Sequence, residues 1–573
     1  MIDYNDIPAA TTADIAALQQ ADFNNLLTTA HVAAFSTDQV AALTTYQISQ
    51  WMTPAQVAAL TTAQVAQGLS TAQISALTSL QAQALTTAQI AQGLTTAQVA
   101  VLTTADVAAL GVTQVAAFTT AQVVALTTSQ ANALTTWQIS RGLTTDQVAA
   151  LETRDLAALS TAQVYRLTAA QIAVLTTAQL YQGLTASHLA ALGQDQVAAL
   201  TTAQIAQGLS AGRIANLSAT GISGLTTSQI AQGLTTAQIA DLSTAQVAAL
   251  STSQIALGLT TTQLAAMETR DVAALTTAQV VALTAAQLAQ GLTTAQIAAL
   301  TTTDFAALTA TQLASLTTTQ VNQGLTTAQI VALTTAQVAG LTSAQVAQGL
   351  TTTQIAAMET ADLAALTVAN LASLTTAQVR TGLTTAQIEG LTASQVAALT
   401  TAQIAQGLTT AQIAAIETAD VASLTATQIV AFTTAQTIQG FTTSQVAAIS
   451  DSAVAALTTA QINLGLTTAQ VAALSVTGVA GLTTSQINLG LSTAQIAALA
   501  VSQISALSVT QLAQGLSTTQ VAALTTNSIA AMDKTQVASL TTAQIKQGLT
   551  TSQVAALSLT GLVALTTAQV NLA

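Results

Sequence analysis

From Leu43 to Ala573 the chain divides without remainder into 64 units, forty-five of eight residues and nineteen of nine, each opening on Leu or on Phe, Met or Ile in its place. Residues 399–415, LTTAQIAQGLTTAQIAA, show the two unit lengths in succession. A chain that repeats one short phrase folds as one short element repeated, so the conformation of a single octad decides the architecture. In LTTAQVAA the Leu and the Val are five apart and would face opposite sides of a strand. One continuous helix also fails, because at about 100° per residue successive Leu drift by about 80° per octad and never form a stripe.

Short separate helices satisfy the pattern. With Leu at N′, the two Thr at N-cap and N1, Ala at N2, Gln at N3 and Val or Ile at N4, each unit carries a capping box and a hydrophobic staple together. Helices this short do not hold alone, so stacked neighbours must stabilise them. The fold class expected is all-α, a solenoid of very short capped helices. The alternative is a parallel β-solenoid with ladders of Thr, Val and Ile, against which stand the abundant Ala and Gln, weak strand formers.

The nine-residue units end on Gly at positions such as 349, 382 and 407, and between Gly183 and Gly548 successive glycines are 25 or 33 residues apart. These gaps read as coils of three or four helices, with each Gly in the left-handed position past a helix end. In the longer coils the second octad carries Asp271, Asp304, Asp362 and Asp420 at N3. An acid there suits a helix N-terminus and suggests an exposed helix.

Composition excludes several functions. Hydrophobic residues make up 51% and charged residues 5%, and Thr and Gln recur so often that no run reaches the roughly 18 apolar residues of a membrane span. Eight Lys and Arg in a chain of net charge −13 give no basis for nucleic-acid binding. With no Cys there are no disulfides or thiolate metal sites. Residues 1–42 keep a degraded octad pattern behind the irregular start MIDYNDIPAATTADIAALQQADF, in which Asp3 and Asp6 precede any apolar run and no secretory signal is visible. Two regions follow: a divergent segment 1–42, expected to cap or join subunits, and a continuous solenoid 43–573.

Chemistry-bearing residues are few. His31 and His188 stand at N3, where Gln usually sits, and read as substituted capping residues. Glu152 with Asp155, Glu268 with Asp271, Glu359 with Asp362 and Glu417 with Asp420 pair an N-cap acid with an N3 acid. Such pairs could meet a cation, but helix-end electrostatics accounts for them. Trp51 and Trp137 read as packing fillers or surface spots. No catalytic, cofactor-binding or metal site is assigned, no cofactor is expected, and the chain is not expected to be an enzyme.

Two resemblances bear on function. The stretch LTTAQVVAL at 275–283 resembles the first helix of the DNA-reading repeats of TAL effectors, but the second helix and the base-reading pair are missing and that function is not carried over. From Leu43 onward the chain is similar to the Thr/Ala-rich repetitive regions of bacterial surface and biofilm proteins, including large adhesins exported by type I machinery. That resemblance implies an extracellular structural role, uncleaved export and self-association, although glycine- and aspartate-rich calcium repeats are absent. The expectation is a self-assembling filament or adhesin subunit. The final segment LTTAQVNLA is an ordinary unit, so head-to-tail stacking is the expected joint, with other cells or surfaces as further partners. The alternative is a binding module for ice or a polymer on a β-solenoid.

Overall fold

The computed structural model describes residues 7–570. They contain short helices joined by extended Leu-Thr steps and, among the described residues, no strand. The fold is an all-α solenoid, and the β-solenoid alternative finds no support. The chain divides into two compact units, Met1–Leu292 and Thr293–Ala573, each built in the same way.

One octad shows why the helix forms and why it stops. Helix Thr410–Ala415 starts at N-cap Thr409 (φ −83°, ψ 162°), whose hydroxyl accepts from the Gln412 amide while the Gln412 side chain accepts from the Thr409 amide. It ends because Ile416, the N′ residue of the following unit, turns extended (φ −61°, ψ 131°). Leu408 and Ile413 are 2% and 0% exposed, so the staple pair is also the core. Burying each such side chain contributes roughly 1.5–3 kcal/mol, which is where helices too short to persist alone gain their stability. Residues 7–42 follow the same plan, with capped helices Thr12–Ala16, Thr29–Ala33 and Thr37–Ala42. Asp3, Asp6 and the last three residues of the final unit lie outside the described residues.

Stacking follows one rule. Within each compact unit, helices pack on those three repeats before and three repeats after: Thr493–Ala498, for example, lies between Thr468–Ala473 and Thr518–Ala523. The same rule holds where the glycines are 33 apart, as where Gln378–Gly382 packs on Thr352–Ala357. The two glycine spacings therefore do not mark coils of different size.

The glycines themselves correct the sequence reading. No described residue has positive φ, glycine or otherwise. In the nonads the helix widens instead: Gln403–Gly407 is a π-turn closed by the Leu408 amide donating to the Gln403 carbonyl at 2.8 Å. Glycine is required there by close approach. A Cβ on Gly407 would sit 3.0 Å from Cβ of Val379, three units back, and the β-branched Val cannot turn away. Gly407→Ala is expected to lower stability by about 1–3 kcal/mol through overpacking. Gly212→Ala, where nothing lies within 4 Å, should be neutral or gain about 0.4–1 kcal/mol. Comparing the thermal unfolding of the two variants checks this.

Candidate functional site

The N3 glutamine does more than close a capping box. Gln403, 1% exposed, accepts from the Thr400 amide through Oε1 at 2.8 Å. Its Nε2 donates to the carbonyls of Leu371 at 3.0 Å and Leu374 at 2.8 Å, four units back. Gln64, Gln147, Gln238 and Gln553 repeat the arrangement along the chain. One side chain thus serves the orphan amide at the start of its own helix and the orphan carbonyls at the end of another. Sequence reasoning found the first half and missed the second. The available signal was that no unit places Glu at N3, although Glu closes a capping box as well as Gln does. Only Gln brings two donors to the carbonyls.

Substitutes at N3 confirm what the slot requires. His188 accepts from the Thr185 amide through Nδ1 at 3.2 Å and reaches the Leu159 carbonyl through Nε2 at 2.8 Å, so the neutral ring stands in for both ends of Gln. Burial holds its pKa below the ordinary histidine value, partly offset by the Leu159 bond. Asn370 reaches the Leu341 carbonyl at 2.6 Å. His31 keeps the cap, its Nδ1 3.3 Å from the Thr28 amide.

Aspartate cannot do this. Asp155 and Asp271 are 0% exposed, and neither has a hydrogen bond to its carboxylate. The expectation that these helices are exposed is therefore overturned at Asp271, Asp304 and Asp362, all buried, because N3 faces the helix four units back. Glu152, Glu268, Glu359 and Glu417 do occupy the N-cap but make no side-chain cap bond. Arg154 bridges part of the charge, at 2.9 Å from Glu152 and 3.6 Å from Asp155, and Arg270 does the same at 2.9 and 3.7 Å. Burial still raises the pKa of Asp155 and Asp271, against the pull of the arginines. Asp362 and Asp420 are also raised, first by burial and then by Glu359 and Glu417. Among the described residues no group of three or more His, Cys, Asp or Glu is placed to hold a metal. Trp51 packs in a nonad against Phe23 and Tyr46, at 6.0 and 5.3 Å between ring centroids. Trp137 is 57% exposed.

A family model described as the ALTTAQ repeat matches residues 15–53, 99–136, 148–182, 264–302, 302–335, 355–381 and 413–448. The chain is a repeat protein. No curated protein matches the chain. No helix among the described residues is long and apolar enough to cross a membrane.

The ladder yields a paired prediction. Gln403→Glu keeps the cap but sets a charge against carbonyls, and should cost about 1–3 kcal/mol or more at neutral pH. Asp271→Gln restores the missing donors and should stabilise. Since the folded pKa of Asp271 is raised, its contribution is full below the unfolded pKa and is lost as pH rises through the folded one. Wild type should therefore gain more than Asp271→Gln on acidification, measured as the difference between their urea midpoints at neutral and acid pH.

Proposed function

We propose that the chain is a structural protein, a fibre or adhesin subunit working outside the cell, which assembles by stacking solenoid on solenoid and carries no catalytic chemistry. Repetition of one stacking contact supports this reading. Helix Thr493–Ala498 packs alike on Thr468–Ala473 and Thr518–Ala523, so one turn offers the next the same face, and its N4 residue Ile496 is sealed at 1% exposure. A contact of this kind between copies joins unlike faces, does not close on itself, and so continues as a filament.

The first described helices bear on how copies would join. Around residues 12–33 the N3 slot holds Asp14, Asp22 and His31 rather than Gln. Asp14 accepts from the Thr11 hydroxyl at 2.6 Å and the Thr11 amide at 3.0 Å, and these bonds hold its pKa below the usual value. An ionised Asp has no hydrogen for the carbonyls of a stacked copy. Stacking a copy against these helices is thus favoured by acid, or by replacing the acids with Gln. Negative-stain electron microscopy should show filaments of Asp14→Gln at neutral pH, and of wild type only in acid below the ordinary carboxylate range, because the Asp14 pKa is lowered. Separate particles for both proteins at every pH would exclude this joint.

A further inference from the structure

The chain has two Trp, four Tyr and eight Lys and Arg, yet one cleft of about 970 Å³ is lined by Trp137, Tyr165, Arg141 and Arg166. All four replace the common residue of their slot: Trp137 and Tyr165 stand where most units carry Ala, Arg141 where nonads mostly carry Gln, and Arg166 where octads mostly carry Ala. None serves the core. Trp137 and Tyr165 are each 57% exposed, and both arginines are exposed. The Arg141 guanidinium lies 4.0 Å from the centroid of the Trp137 ring, a cation held in place before any anion arrives. Neither Arg141 nor Arg166 makes an ion pair among the described residues. Gly193, in a slot that is Thr or Ser in most units, lies beside the Tyr165 ring, where a Cβ would meet Cε2 at 3.7 Å in ordinary contact.

We propose that this cleft binds an acidic glycan, with Trp137 and Tyr165 stacking on sugar rings and Arg141 and Arg166 pairing with uronate carboxylates. The volume lies within the range of small-molecule sites, and exposed aromatic rings beside a few convergent polar groups are the usual composition of one. Arginine forks match carboxylates in two parallel bonds. The lining also contains Asp195 and Gln194, which accept from and donate to the hydroxyls that a sugar carries in abundance. A nucleic acid fits less well: its dense phosphate charge would meet Asp195 and a chain of net charge −13. The site is formed within one chain and does not depend on stacking.

The test measures binding of tetragalacturonate by calorimetry and by Trp fluorescence, beside its carboxyl-reduced neutral form and a single-stranded oligodeoxynucleotide. Each variant restores a residue that neighbouring units carry in the same slot, so folding is preserved and unchanged thermal unfolding verifies it. Wild type should bind tetragalacturonate. Trp137→Ala and Tyr165→Ala should each weaken that binding about tenfold or more. Arg141→Gln and Arg166→Ala should erase the preference over the neutral form. Equal binding of the neutral form by wild type, unchanged affinity in the aromatic variants, tighter binding of the oligonucleotide, or no binding of any probe would each overturn the assignment.

Discussion

A helix of five or six residues leaves most of its amides and carbonyls without partners inside the helix, and a fold made only of such helices has to satisfy them in some other way. Here the N3 glutamine does so from both sides. Its oxygen accepts the N-cap amide of its own helix, and its nitrogen donates to carbonyls at the end of the helix four units back, as Gln403 does with Leu371 and Leu374. Hydrogen bonds of this kind gain little individually, but leaving buried carbonyls unmet would cost about 1–3 kcal/mol each. The ladder makes stacking obligatory, and stacking in turn buries the Leu and Val that hold the helices in place.

Much of this was legible in one octad. Thr at N-cap, Gln at N3 and Leu five residues before Val mark a capped, stapled helix, and helix Thr410–Ala415 has that form. What the octad could not reveal depends on partners distant in the chain. Gly407 looks like a helix terminator, but its place is fixed by Val379 pressing on it from three units back. Asp271 looks like a favourable N-terminal acid on a surface helix, but N3 faces a neighbouring helix and the carboxylate is sealed there. Each difference has the same origin: local chemistry sets the helix, while the helices stacked on it decide which face is covered.

Uniformity also makes departures informative. Because most units share one solution, a residue that breaks the pattern without serving the ladder or the core stands out. His188 and Asn370 are substitutions the ladder absorbs. The Glu-x-x-Asp units are substitutions it tolerates at a loss, with arginine offsetting part of the charge in two of the four. Trp137 and Tyr165 serve neither ladder nor core, both standing exposed where they line one cleft.

The central claim concerns the glutamine side-chain nitrogen, and amide hydrogen exchange reads it directly. In protein labelled with ¹⁵N at the glutamine side chain, the Nε2 protons of N3 residues such as Gln403 and Gln147 should exchange with deuterated solvent as slowly as the buried backbone amides beside them. Exposed glutamines such as Gln406 should exchange at once. If the N3 side chains exchange as fast as the exposed ones while the helices remain folded, the ladder does not join the turns of this solenoid.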